Sequence, residues 1–422
     1  MRRPSYPRVL GQRDFRYLFL GQSLSVIGDR VVVVALALFI TERTGSPTDL
    51  GLVLGAQTLA LVLLLLFGGV WADRLPRRQI MIATDAVRAA LHALLAVLIF
   101  TGDVEVWEIV VIEALFGAAE AFFNPAYQGL VPQTVPESMI QEAKALTLTI
   151  YNVAMFLGPA LATVLVLGIG PGEAFALDAA TFLVSVALLL PVRARPRGPE
   201  AATSVLRGLH DGWQEVRSRA WVWVTIAVFA GIVLCVYAPW NALAPSIARD
   251  YYGHAGIFGL LGSATGLGAL TGSLIALRWR PRRPLLTGAL LTLGWPINNA
   301  LFALGAPVAL LVVTEILAGI AFALFLVWWE TALAHHIPPA ALSRVSAYDL
   351  SGSLALLPLA YLLAGPVAAA FGARTVLGVG SLIGLILLGV CLLPRETREL
   401  GSPPASAEQV ARQVVVEVGR EP

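Results

Sequence analysis

Among the ionisable side chains inside stretches of the sequence that are otherwise apolar, six are candidates for chemistry. They are Asp29, Arg30, Glu113, Glu120, Asp178 and Glu315. A charge in such a stretch is costly and usually faces a protein interior or a wet cavity. A carboxyl group in an apolar cavity can take up and release a proton near neutral pH, and it can bind a cation when ionised. These residue types therefore indicate proton exchange or cation binding, and Glu113 and Glu315 are our first candidates for it.

The fourth apolar stretch carries its polar residues on one helical face. Glu113, Gly117, Glu120 and Asn124 follow the spacing i, i+4, i+7 and i+11, which places them above one another on a helix. We expect this face to line the interior. Asp29 and Arg30 point about a hundred degrees apart on a helix, and for them a structural ion pair and a transport role both stay open.

The elements that position these residues are helices long enough to cross a membrane. Charged residues make up 13% and apolar types 57% of the 422 residues, whereas about a quarter of a soluble domain is charged. A soluble globule is therefore excluded, and the stretches are too long for barrel strands. Twelve spans are predicted at about 17–41, 50–72, 79–101, 105–126, 143–168, 173–192, 221–245, 255–277, 285–304, 308–334, 347–370 and 374–393. The predicted fold is an all-α integral membrane protein with twelve transmembrane helices in two pseudo-symmetric six-helix bundles.

A polar segment divides these spans into six and six. We predict a tail at 1–16, a first bundle at 17–192, a linker at 193–220, a second bundle at 221–393 and a tail at 394–422. Of the 29 Lys and Arg residues, 24 fall on the side of the N-terminus and 3 on the other side, and Arg30 and Arg88 lie within spans. The positive-inside rule then places both termini and the linker in the cytoplasm. With a single lysine and abundant Ala, Gly and Pro, the composition is typical of a bacterial chain, so we expect a bacterial cell membrane.

The loop between the second and third spans carries the most specific pattern. It contains Gly69, Asp73, Arg74, Arg77 and Arg78. The pattern resembles the signature loop of the major facilitator superfamily, Gly-x-x-x-Asp-Arg-x-x-Arg-Arg, although Pro76 stands where that family usually has Gly. The resemblance implies a secondary transporter in which this loop braces the first half against the second in the outward-facing state. We predict that Asp73 meets the start of the eleventh span, at 346–349.

The two halves retain traces of a common repeat. Glu-x-x-x-Gly occurs at Glu113 and again at Glu315, and the next span of each half carries Gly-Pro, as Gly158-Pro159 and as Gly365-Pro366. We expect a kink at each Gly-Pro pair. In transporters built from repeats the substrate binds where the halves meet near the membrane midplane. Aromatic residues predicted to line that cavity are Tyr151, Tyr237, Trp240 and Trp328.

Four strings resemble an exporter branch of this superfamily that contains the bacterial macrolide efflux proteins and the enterobactin exporter. They lie at residues 21–29, 122–126, 258–261 and 266–270. The branch implies export of a small amphipathic compound, such as an antibiotic, drug or siderophore, by proton antiport with alternating access. Related antiporters often have Arg where this chain has Glu113, so a cavity for cationic or neutral substrates is favoured.

Two other functions stay open on the sequence: a lysophospholipid or other lipid transporter of the same superfamily, and a membrane sensor or assembly protein that transports nothing. An enzyme is not expected, because the chain has neither a Gly-rich nucleotide loop with Lys nor a metal-spaced His/Cys set. We expect a monomer in the lipid bilayer that uses a small-molecule substrate and protons. No cofactor, metal or nucleic acid is expected.

Overall fold

The computed structural model describes residues 8–195 and 212–401. The first half contains six long helices: α1 (Arg13–Thr44), α2 (Pro47–Arg74), α3 (Arg77–Thr101), α4 (Val106–Leu130), α5 (Ile140–Gly168) and α6 (Pro171–Leu189). The second half contains α7 (Ala220–Ile232), α8 (Ala238–Asp250), α9 (Gly256–Ala276), α10 (Pro284–Thr292), α11 (Gly294–Leu304), α12 (Val308–His336), α13 (Pro339–Leu354), α14 (Leu357–Phe371) and α15 (Ala373–Cys391). A short helix, α16 (Arg395–Glu399), follows.

The all-α membrane class predicted from the sequence is confirmed. Within the described residues, eleven helices or helix pairs are long and apolar enough to cross a membrane. The remaining long helix, α4, has 25 residues and packs against α2 and α3, which is consistent with twelve spans. The residues 1–7, 196–211 and 402–422, which hold most of the predicted linker and much of the tails, lie outside the described part.

Three spans of the second half are interrupted, which the sequence did not predict. A π-helical turn (Val233–Tyr237) joins α7 to α8, and Pro239 follows it in the first turn of α8. The break between α10 and α11 falls at Leu293, just before Gly294, and a third break separates α13, which ends at Leu354, from α14, which begins at Leu357. Such irregular turns in membrane helices are stable where neighbouring helices bury the backbone.

Three apolar clusters define how the halves pack. We call the end where α1 begins and α2 ends the basic end, and the opposite end the far end. At the far end one continuous cluster contains residues of both halves, such as Ile40, Leu50, Ala248, Phe302 and Ala368. At the basic end the described residues form two separate clusters, one within each half. The halves therefore meet at the far end and part toward the basic end.

Both Gly-Pro pairs lie at contacts between the halves. A Cβ at Gly365 of α14 would overlap the backbone of Thr48 at the start of α2. Pro159 of α5 packs against Gly259 and Gly262 of α9. The small surface of glycine lets the helix backbones approach closely. One member of each Gly-Pro pair therefore lies at a contact between the halves, Pro159 in the first half and Gly365 in the second.

Candidate functional site

One face of α3 carries a row of buried polar side chains. Asp85, Arg88 and His92 follow the spacing i, i+3 and i+7, so they lie on one side of the helix, and all three are buried. At the first of them, Ser185 of α6 donates a hydrogen bond to Asp85 Oδ2 at 2.7 Å. Gln22 Nε2 of α1 donates to the same oxygen at 3.3 Å. The face therefore joins α1, α3 and α6 through polar contacts.

Arg88 is the cation at the centre of this row. Its guanidinium forms an ion pair with Asp85, and its Nη1 lies 3.8 Å from Asp29 Oδ2. The rings of Phe123 and Phe182 lie 4.0 and 4.3 Å from the guanidinium carbon. A desolvated guanidinium gains from both kinds of contact. Arg88 therefore links the first span to the third, which fits the structural interpretation of Asp29.

His92 lies between two carboxyl groups from different helices. Its Nδ1 is 2.5 Å from Asp178 Oδ2 of α6, and its Nε2 is 3.6 Å from Glu113 Oε1 of α4. The ring stacks on Phe116 with centroids 4.2 Å apart. Neither Nε2 nor Oε1 has a hydrogen-bond partner in the part of the chain that the structure describes. Glu113 is 1% exposed, so it contacts His92 and does not line an open cavity.

Asp178 connects this buried pair to the interior between the halves. A Cβ at Gly28 would overlap the Asp178 carboxylate and lie 2.7 Å from Thr181 Oγ1, so Asp178 lies directly over the α1 backbone beside Asp29. The Asp29 side chain is 26% exposed. Next to it, the Arg30 guanidinium carbon lies 5.2 Å from the centre of the Tyr151 ring. Carboxylates and a guanidinium thus reach the interior side of α1 together.

The second half surrounds its buried carboxyl group with neutral donors. Asn298 Nδ2 donates to Glu315 Oε1 at 2.7 Å, and Thr265 donates to Oε2 at 2.8 Å. Thr314 in turn donates to Asn298 Oδ1 at 2.5 Å. Glu315 is 2% exposed, and among the described residues it forms no ion pair. It is a buried carboxyl group held without a counter-charge.

The glycine of each Glu-x-x-x-Gly repeat has the same packing role. A Cβ at Gly117 of α4 would overlap the carbonyl oxygen of Gln57 on α2. A Cβ at Gly319 of α12 would overlap the carbonyl oxygen of Thr265 on α9. The repeat therefore fixes a close helix pair in each half and leaves its carboxyl group one turn away.

The remaining polar residues of the α4 face are only half-buried. Asn124 donates a hydrogen bond to Glu120 Oε1 at 3.5 Å. Glu120 is close enough to Asp29 and Arg30 for its charge to interact with both. The predicted face is thus divided, because Glu113 contacts α3 while Glu120 and Asn124 lie toward the interior.

The arginines of the α2–α3 loop bind the carbonyl ends of neighbouring helices. Arg77 Nη1 donates to the carbonyl of Gly129 in α4 at 2.9 Å. Arg78 Nε donates to the carbonyl of Leu189 in α6 at 2.9 Å. Cations stabilise helix C-termini, so this loop ties three helices of the first half together, while Arg74 is exposed. The surroundings of Gly69 and of the Asp73 side chain lie outside the described part, so the contact of Asp73 with 346–349 stays a prediction.

The four aromatic candidates occupy different surroundings. Tyr151 and Tyr237 are 41% and 37% exposed, and both are electrostatic neighbours of Arg30. Trp240 lies within the second half, 5.0 Å from Phe302 between ring centres. Trp328 is buried there against Trp279, at 5.1 Å. The two tyrosines are thus grouped at the interior side of α1, and the two tryptophans are not.

Sequence reasoning missed two members of the first-half cluster. Asp85 and His92 were not among the candidates, and Arg88 was counted only as a charge within a span. Their spacing on the third span was visible and would have marked one polar face. The neutral partners of Glu315 gave no such signal, because placing Thr or Asn in a membrane span costs much less free energy than placing a charge there.

The fold is that of major facilitator transporters. The nucleoside transporter NupG (D323A mutant) superposes with a TM-score of 0.70 at 13% identity, covering 90% of this chain and 99% of that one. A bacterial homologue of the human lysosomal transporter Spinster, inward-facing and unoccupied, gives a TM-score of 0.69 at 17% identity, covering 93% and 98%. These similarities concern the fold alone.

Residues 8–418 match the family described as "Transmembrane secretion effector". The chain belongs to this family of the major facilitator superfamily, whose members are transporters and not enzymes. The multidrug efflux pump Tap of Mycolicibacterium fortuitum is 26% identical over 88% of this chain and 93% of its own length. Macrolide efflux protein A of Streptococcus pyogenes is 26% identical over 56% of this chain, and the match covers 59% of that relative's length.

Proposed function

We propose that this protein exports a small amphipathic compound, such as an antibiotic, drug or siderophore, by proton antiport with alternating access. It would act as a monomer in the bacterial cell membrane, with both termini in the cytoplasm. The similarity to macrolide and multidrug efflux proteins supports the direction and the substrate class.

The observation that carries this proposal is the unequal packing of the two halves. They share one apolar cluster at the far end and have separate clusters at the basic end. The arginine excess favours the basic end as the cytoplasmic one. With this orientation the two halves are in contact at the extracellular end and separated at the cytoplasmic end. This is the inward-facing state that an alternating-access transporter requires.

The three arginines of the far end fit the same orientation. Arg43, Arg249 and Arg374 donate hydrogen bonds to the carbonyls of Gly102, Thr41 and Ala303. Each of these carbonyls lies at or near a helix C-terminus, where a cation is stabilising. The few basic residues opposite the termini therefore bind helix ends, Arg249 across the two halves, and do not weaken the charge asymmetry.

Glu315 is the carboxyl group best suited to coupling. Buried carboxylates without a counter-charge are costly, whereas a protonated Glu315 can accept from the Asn298 amide and donate its proton to the Thr265 hydroxyl. That hydroxyl can then donate to the carbonyl of Leu261, which lies 3.0 Å away. A change in the surroundings of Glu315 between inward- and outward-facing states would release or admit one proton. The carboxylates and tyrosines near Arg30 favour a cationic or neutral amphipathic substrate.

The test is transport of erythromycin and ethidium by purified protein in proteoliposomes. We expect a pH gradient to drive accumulation against the substrate gradient. Glu315→Gln keeps the size and hydrogen-bonding capacity of the side chain but cannot lose a proton. It should therefore abolish pH-driven accumulation, while exchange of substrate across the membrane without a pH gradient persists. Glu330→Gln, an exposed carboxyl group on the same helix, is the matched control. Unchanged pH-driven transport in Glu315→Gln would overturn the coupling role, and no transport of either compound would speak against the substrate class.

A further inference from the structure

We propose that His92, Asp178 and Glu113 form a second proton-binding site, buried in the first half and reached from the interior through Asp29. The use of this proton in export rests on the proposed function, whereas the binding of the proton does not. The site adds a role for Glu113 to the proposed mechanism, because Glu113 then acts through His92 and does not contact the substrate.

The charges around His92 require bound protons. The titratable groups that face the cluster are Asp29 of α1, Asp85 and Arg88 of α3, Glu113 of α4 and Asp178 of α6. Four ionised carboxylates and one guanidinium would leave a formal charge of −3, with Arg30 and Glu120 offsetting each other nearer the interior. Burying such an excess costs several kcal/mol per unpaired ion, so at least one position in the cluster must be protonated.

The geometry identifies the His92 imidazole as the group that holds a proton between the Asp178 and Glu113 carboxylates. A doubly protonated ring donates to carboxylates on both sides, whereas a neutral ring donates to one only. Nδ1 is 2.5 Å from Asp178 Oδ2, and the opposite Nε2 is 3.6 Å from Glu113 Oε1. A small rotation of the Glu113 carboxylate closes the second contact. When Glu113 then accepts the Nε2 proton, it becomes a neutral acid, and the neutral ring keeps its Nδ1–H toward Asp178.

Apart from Arg88 and Asp85 on the same face of α3, the site is polar on its side toward the interior and apolar on its other sides. Phe116, Phe175 and Phe182 surround the ring, with centroids at 4.2, 5.5 and 6.2 Å. The polar side leads through Asp178, which lies over Gly28, to the partly exposed Asp29. A proton from the interior therefore has a row of carboxyl groups to follow, and bulk water has no comparable access.

The test uses 15N-histidine NMR of the full chain in lipid nanodiscs, without any substrate, from about pH 5 to about pH 9. His92→Gln assigns the His92 signals. We expect these signals to change between doubly and singly protonated forms within this range. Glu113→Gln should move the midpoint to lower pH by about one to three units, because an anion that favours the imidazolium is removed. Asp178→Asn should act in the same direction.

His336→Gln is the matched control, because His336 contacts the carbonyl of its own helix and should leave the His92 signals unchanged. A His92 ring that stays singly protonated over the whole range, or a midpoint unaffected by both carboxyl variants, would overturn the proposal. If His92→Gln does not fold, variants of the other four histidines assign the His92 signals by elimination, and the two carboxyl variants still decide the question. Since no substrate is present, failure of the export assay and failure of this site are separate results.

Discussion

Glu113 and Glu315 occupy the same position in two related halves but have opposite surroundings. Each begins a Glu-x-x-x-Gly repeat whose glycine contacts a neighbouring backbone. Glu113 faces an imidazole in a cluster that also contains Arg88 and three further carboxyl groups. In the part of the chain that the structure describes, the groups that bind Glu315 are a hydroxyl and an amide. The backbone of the repeat has been kept while its electrostatics have diverged.

This difference separates two ways of burying a carboxyl group. In the first half charged groups of opposite sign are paired, so removing one partner leaves the other unpaired and costs more than the lost contact. In the second half neutral donors hold a single carboxyl group, and a proton can come or go with little disturbance elsewhere. Substitution of a single charge is therefore expected to destabilise the first half, whereas the hydrogen bonds of Glu315 in the second half are expected to change strength with pH.

The largest expected effect is that of Arg88→Leu, which tests whether the first half depends on charge pairing. The substitution leaves Asp85 and Asp29 without their cation and should lower the free energy of unfolding by about 3–5 kcal/mol. Thermal unfolding of the detergent-solubilised protein measures this loss. Arg374→Leu, which removes a bond to the carbonyl of Ala303 at the far end, should cost only about 1 kcal/mol.

The double variant Arg88→Leu/Asp85→Asn sharpens that result. It removes the cation together with its nearest anion, so it should recover part of the stability that Arg88→Leu loses. A single variant as stable as the parent chain, or a double variant less stable than the single one, would mean that packing and not charge holds this cluster.

The intermediate effect tests the part of the repeat that the halves share. Gly117→Ala and Gly319→Ala each push a methyl group into a neighbouring carbonyl oxygen, so each should lower the stability by about 1–3 kcal/mol. Gly389 is the control, because nothing lies within 4 Å of a Cβ built there and alanine favours helix. If alanine lowers the stability at only one of the two repeat glycines, the close helix pairs of the two halves are not equivalent.

Composition and spacing were enough to predict the helical membrane fold, the superfamily and the repeat. Each of these depends on local features: apolar length, the Asp-Arg-x-x-Arg-Arg loop, and Glu-x-x-x-Gly at matching places. The prediction that Glu113 and Glu120 share one interior face was too simple. A helix inside a bundle has several neighbours, so residues on one stripe can contact different helices, as Glu113 and Glu120 do.

The partners of the buried carboxyl groups could not be predicted, because they depend on which helices adjoin. Thr265, Asn298 and Glu315 come from three different spans, and nothing in their spacing brings them together. The π-helical turn at Val233–Tyr237 was equally hidden, since no glycine or proline lies within it. Tertiary packing decides both features, and local propensity does not.

The smallest expected effect compares single hydroxyl donors in the two halves as the pH changes. Thr265→Val removes the donor to Glu315 at 2.8 Å, and Ser185→Ala removes the donor to Asp85 at 2.7 Å. A hydrogen bond to a neutral group contributes about 1 kcal/mol and one to an ion about 1.5–3 kcal/mol. Thr265→Val should therefore cost about 1 kcal/mol at acid pH, where Glu315 is protonated, and more as the pH rises and the carboxyl group ionises. Ser185→Ala should show the smaller change with pH, because Asp85 also has the counter-charge of Arg88. Chemical unfolding at several pH values measures both, and equal pH dependence in the two variants would contradict the distinction between a neutral and an ionic surrounding.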